Sequence, residues 1–138
     1  MDSCTAALRN VYLTNSERAS LLINRAVLYS FARDFAGALE DYTAAIATGE
    51  RVAEAYTDRS ATLISLHRYA DAVHDSDEAL RLHTARPELA YFNRAVANEK
   101  LGNIRGAYED YKAALAAKPG FAAAADQLTR FKVVKSGT

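Results

Sequence analysis

From about residue 19 onward, apolar positions along the chain recur three and four residues apart. Leu22, Ala26 and Tyr29 form one such set; Tyr56, the small Ser60 and Leu63 form another; Phe35, Leu39, Tyr42 and Ile46 a third. That spacing lines up side chains on one face of a helix rather than a strand. The pattern predicts helices in pairs. The first members run from about Leu21 to Ala32, Ala55 to Leu66 and Leu89 to Leu101. The second members run from about Phe35 to Thr48, Tyr69 to Leu82 and Ile104 to Ala117. Turns fall at Arg33-Asp34, His67-Arg68 and Gly102-Asn103. Gly49 suits a helix C-cap and Pro87 a first helical turn.

The pairs are copies of one unit. "NRAV" stands at residues 24–27 and again at 93–96, and "GALEDYTAAIA" from Gly37 is echoed by "GAYEDYKAALA" from Gly106, both at an offset of 69 residues. "DRSA" at 58–61 lies 34 residues after the first "NRAV" and 35 before the second, so the 69 is two periods with one residue inserted in "HTARP". Three units follow, at about 19–52, 53–87 and 88–121. A helical pair cannot bury both of its faces alone, so the expected fold is all-α, stacked antiparallel helix pairs forming a single domain over residues 1–138.

Small residues keep the same register in every unit: Ala26, Ser60 and Ala95 on the first helix; Ala38, Ala72 and Ala107, then Ala45, Ala79 and Ala114, on the second. Tyr42 and Tyr111 follow the first of these second-helix alanines by four residues, and Pro119 closes the third unit. On these residues the chain resembles the tetratricopeptide repeat over about residues 19–121, and the resemblance implies that the stacked antiparallel pairs wind into a right-handed superhelix. It departs from that pattern where Leu22, Tyr56 and Tyr91 replace the early Trp, Ser76 replaces the aromatic plug of the middle unit, Glu50 and Thr84 replace the closing Pro, and Asn98 stands where Tyr29 and Leu63 stand.

The two ends read differently. Residues 122–134 predict a capping helix, with Leu128 and Phe131 on the third unit and Asp126, Arg130 and Lys132 toward water. "CTAAL" at 4–8 matches "YTAAI" at 42–46, so residues 2–13 read as a partial or capping helix, followed by "TNSE" at 14–17 as a capping box. A fragment of a longer array and a native N-terminal cap both account for this start. In the first case Ala6, Leu8 and Val11 lack cover, and weak self-association through this end is expected.

Composition narrows the function. Seventeen basic residues balance 17 acidic ones, which argues against nucleic acid as the main partner. No apolar run is long enough to span a bilayer, and the N-terminus has no apolar signal core. The compartment stays open: cytoplasmic by default, periplasmic or secreted if an upstream signal has been removed. Cys4 is alone, so neither an internal disulfide nor a cysteine zinc cluster can form. His67, His74 and His83 lack metal-ligand spacing and no glycine-rich phosphate loop exists. No cofactor, metal or catalytic residue is expected, and the chain does not read as an enzyme.

Arg25, Arg59 and Arg94 recur, and Asp41, Asp75 and Asp110 follow each by 16 residues. This pattern suggests an internal ion-pair ladder, with an anion-binding arginine stripe as the alternative. The resemblance implies a concave groove lined by the first helices: Ser20, Ile23, Asn24, Val27 and Phe31; Glu54, Thr57, Asp58, Ala61 and Ile64; Leu89, Phe92, Asn93, Val96, Glu99 and Lys100. In it Asn24, Asp58 and Asn93 form a polar row, suited to pairing with a peptide backbone or to bonding within the array. Ile23, Val27, Phe92 and Val96 supply apolar contact. A subset of the family clamps the carboxylate of chaperone tails. The corresponding residues here are Ile23 and Val27, Asp58, then Leu89 and Asn93, which argues against that ligand. The expected function is protein–protein interaction through a partner peptide or helix in the groove. The alternatives are a structural segment of a longer array and an auxiliary domain of an enzyme outside this chain.

Overall fold

The computed structural model describes residues 3–136, with side chains described as far as Phe131. Its helices are α1 (Ser3–Ala7), α2 (Asn15–Phe31), α3 (Phe35–Ala47), α4 (Val52–Ser65), α5 (Tyr69–Arg81), α6 (Pro87–Lys100), α7 (Ile104–Ala117) and α8 (Ala122–Ser136). No strand occurs among the described residues. The α2–α3, α4–α5 and α6–α7 pairs are hairpins, each packing on the next, and α8 packs on α7.

The small residues are small because helices cross on them. All nine crossing positions, from Ala26, Ser60 and Ala95 through to Ala45, Ala79 and Ala114, are fully buried. Larger apolar residues fill the space between crossings. Leu22, Ile23 and Tyr42 gather with Ala55, which ties the first unit to the second, and Leu63 meets Ala97, which ties the second to the third.

Local chemistry accounts for the repeated "GALEDY" and "GAYEDY". Asp34 and Asn103 cap α3 and α7 by accepting from the N–H of Gly37 and Gly106, at 2.9 and 3.0 Å. A Cβ on either glycine would lie 2.8 or 2.5 Å from a side-chain atom of its cap residue. The middle unit has Arg68 at this place, makes no such cap bond, and pairs Arg68 with Asp71 instead.

Two helices differ from the sequence expectation. α2 begins at Asn15 rather than near Leu21, where the capping box read at 14–17 puts its start: Thr14 accepts from the Glu17 N–H and bonds its carboxylate. The N-terminal helix expected over 2–13 ends at Ala7. Asn10 turns the chain by accepting from the Tyr12 N–H, and Arg18 donates to the carbonyls of Leu8 and Asn10. Residue 2 and the side chain of Lys132 lie outside the described residues.

Candidate functional site

One face of the array is held by arginines. Each repeated Arg grips the Asp of its own second helix with two nitrogens: Arg25 to Asp41 at 2.7 and 2.7 Å, Arg59 to Asp75 at 2.7 and 2.9 Å, Arg94 to Asp110 at 2.8 and 2.8 Å. The remaining nitrogen reaches back one element, Arg59 to Thr43 at 3.2 Å and Arg94 to Asp77 at 2.8 Å. Arg25 does the same to Thr5 of α1 at 3.3 Å, so α1 occupies the place of a preceding second helix. The guanidinium groups also lie over Tyr29, Tyr56 and Tyr91. These bonds engage the arginines with the array's own side chains, which leaves little of the stripe for an anionic ligand.

The first helices α2, α4 and α6, which carry these arginines, are unevenly spaced. α4 and α6 pack directly, while α2 and α4 barely touch. The residue four after the crossing alanine of each second helix explains this. Tyr42 is a buried ring wedged beside α4. Its counterpart Ser76 is small, fully buried and has no partner for its hydroxyl among the described residues, which lets α6 close on α4. Asn93 seals that closure by donating its amide to the Thr57 carbonyl and the Ser60 hydroxyl, at 3.2 and 2.9 Å. A carbonyl can only accept, so the amide orientation is fixed and the Asn93 Oδ1 faces away from α4.

Between α2 and α4 a cleft of about 380 Å³ stays open, lined by Val27, Ser30, Phe31, Phe35, Tyr42, Asp58, Ala61, Thr62, Ser65 and Arg86. Phe31 stands at its rim, 83% exposed. Asp58 is the cleft's only carboxylate among the lining residues. Burial, and then the nearby Glu54 charge, push its pKa up from 3.8 to about 6, and Arg86 and Arg51 offset this only in part. Burial likewise pushes Tyr42 far above the ordinary phenol range, with Asp58 adding to the effect. A second hollow of about 500 Å³ opens at the start of α4, between Arg51, Glu54, Thr84 and Arg86.

The groove residues expected from sequence therefore separate into groups. Val27, Phe31, Asp58 and Ala61 come together in the cleft. Asn24 and Lys100 are exposed on first helices and line neither of these two hollows. Ile23 and Thr57 are each 3% exposed: Ile23 packs in the core with Leu22 and Tyr42, while Thr57, whose hydroxyl bonds the Ala53 carbonyl and Thr84, lines the second hollow. Phe92 and Val96 are half-buried and line neither hollow. They pack against the buried cluster of Ala95, Ala107 and Tyr111, and the Phe92 ring lies 5.5 Å from Tyr111 and 5.4 Å from Phe121. Asn93 bonds within the array rather than waiting for a peptide.

Phe35, Tyr42 and Arg86 line the cleft and were not among the expected groove residues. Arg86 sits in the "HTARP" insertion, the one place where the period lengthens, and that irregularity was the available signal. Among the described residues no group of His, Cys, Asp and Glu is placed to hold a metal ion, and no helix is long and apolar enough to cross a membrane.

No family model matches the chain. The human serine/threonine-protein phosphatase 5 is 31% identical over 103 residues, which cover 75% of this chain and 20% of the phosphatase. The chain thus spans about a fifth of the length of this curated relative. Among solved structures, the Arabidopsis OM64 TPR domain superposes with a TM-score of 0.79 at 25% identity, covering 84% of this chain and 95% of that one. The first TPR of Spaghetti (RPAP3), solved bound to an HSP90 peptide, superposes with a TM-score of 0.81 at 21% identity, covering 92% of this chain and 99% of that one.

Proposed function

We propose, from the premise that this chain is a tetratricopeptide-repeat array, that it is a protein-interaction module whose α2–α4 cleft holds a partner segment. The observation that carries this is the cleft itself: an apolar hollow between two first helices, with an exposed aromatic at its rim and a single carboxylate within. A solved relative of the same fold is bound to a peptide. That peptide's chemistry does not transfer, because the positions that would clamp its terminal carboxylate are Ile23, Val27, Asp58, Leu89 and Asn93 here. Ile23 is buried, Asp58 carries the wrong charge and the Asn93 amide is already bonded.

The test is affinity capture with the purified chain, identification of the retained protein, and binding of that protein to variants. Phe31→Ala should weaken binding by about tenfold or more. Glu109→Ala and Lys112→Ala, on α7, should leave it unchanged. Equal binding to all three variants would remove the cleft from consideration. A second reading, an auxiliary domain of a larger enzyme, is favoured by the identity with a phosphatase about five times the matched length. An antibody to this chain that detects a much larger endogenous protein would support it.

A further inference from the structure

The first helices hold three register-equivalent polar residues, Asn24, Asp58 and Asn93, and only the last has a structural task. Asn93 donates to the Thr57 carbonyl and the Ser60 hydroxyl of the preceding unit. One unit earlier, the equivalents of Thr57 and Ser60 are Ile23 and Ala26. A carboxylate has no proton to give the Ile23 carbonyl, and Ala26 has no hydroxyl, so Asp58 cannot make the bonds that Asn93 makes. Its carboxylate oxygens have no hydrogen-bond or ion-pair partner among the described residues. The nearby cations do not fill that role. Arg51 is taken by Glu54 and Ser20, and Arg86 acts on Asp58 only through space. An acidic group half-removed from water, unpaired, and facing an apolar hollow is costly to the fold.

We infer that the cleft seats a basic side chain of the partner segment, its ammonium or guanidinium on the Asp58 carboxylate and its methylene stem along Val27, Phe31 and Ala61. This rests on the reading of the cleft as the partner site. Asp58 supplies the only negative charge in the cleft lining and Glu54 adds to the negative field, against one lining cation, Arg86, that makes no ion pair with Asp58; the remaining wall is largely apolar, as the stem of Lys or Arg requires. The charged or titratable groups facing Asp58 are Glu54 and Arg51 at the start of α4, Arg86 before α6, and the Tyr42 phenol of α3. The α2 wall contributes no charge to the cleft. Seating a cation holds Asp58 ionised, so binding weakens as the pH falls through about 6.

The experiment selects from a displayed library of random 12-residue peptides on the immobilised chain at pH 7.5. A synthetic capped peptide of the enriched family is then measured with its basic residue intact and changed to Gln. The expected result is a family with one invariant Lys or Arg. Changing it to Gln should cost about tenfold in affinity on the wild-type chain and less than about twofold on Asp58→Asn, and the preference should shrink in high salt. Asp58→Asn replaces the unpaired acid by the residue of the neighbouring units, so it should fold at least as well as wild type. An enriched family without a basic residue, or a Gln penalty equal on both chains, overturns the cation seat. In either case a loss of affinity on Phe31→Ala keeps the cleft as the partner site, whereas binding indifferent to Phe31→Ala overturns both.

Discussion

Asp58 is where residue-scale physics and function part company. Its folded pKa of about 6 lies above the ordinary 3.8, so the native state holds a proton that the unfolded state gives up. Stability therefore falls as the pH rises from about 4 to about 6, and the penalty is complete above that. Asp58→Asn should raise the unfolding free energy by about 1 kcal/mol at pH 7.5, with the advantage shrinking at acid pH. Urea unfolding of both chains across that range checks it; a variant equally stable at every pH would contradict the account. Backbone strain offers a second case. Arg33 and His67 adopt left-handed φ of 62° and 60°, at the turn position where the third unit has Gly102 at 85°. Arg33→Gly should gain about 0.5–1 kcal/mol in the same assay. His67→Gly should gain less, because it loses the 2.7 Å bond to the Tyr69 hydroxyl. The family resemblance assigns Asp58 to the groove, and it lines the cleft. Its lack of a partner could not be read from the sequence, because that depends on where α2 stands.

At the scale of elements, the Arg–Asp pairs join first helix to second. Arg59 is largely buried and Asp75 almost wholly so, and removing the arginine leaves an unpaired buried carboxylate. Arg59→Ala should lower stability by about 3–5 kcal/mol. A double-mutant cycle with Asp75 should show strong coupling, and a coupling near zero would contradict a working pair. Ala72 is fully buried at a helix crossing, so Ala72→Leu should cost about 1–3 kcal/mol; an unchanged melting curve would argue against the crossing. These contacts were legible because they follow the period itself: equal spacing in sequence gives equal geometry in every unit. The role of Phe92 was not legible. Its ring meets Phe121, which lies beyond the third unit's second helix and has no counterpart within the array. The closure of α6 on α4 was hidden for a related reason. It follows from a small residue, Ser76, where the period calls for a ring.

Across the whole molecule, one array built from three similar units is open at one end and closed at the other. Tyr42 holds α2 away from α4, Ser76 and Asn93 draw α6 onto α4, and α8 covers the last unit. Near the other end, Val11 and Tyr12 are 80% and 89% exposed. We expect weak self-association there, seen by sedimentation as a mass that rises with concentration; a monomer at every concentration would count against it. The claim on which the functional account turns is that the partner lies between α2 and α4. The most direct measurement is the map of amide chemical-shift changes in the isotopically labelled chain as the captured partner is added. The account predicts a footprint centred on Val27, Phe31, Asp58 and Ala61, with Glu109 and Lys112 on α7 undisturbed. A footprint confined to α5 and α7, or to residues 3–13, would contradict it.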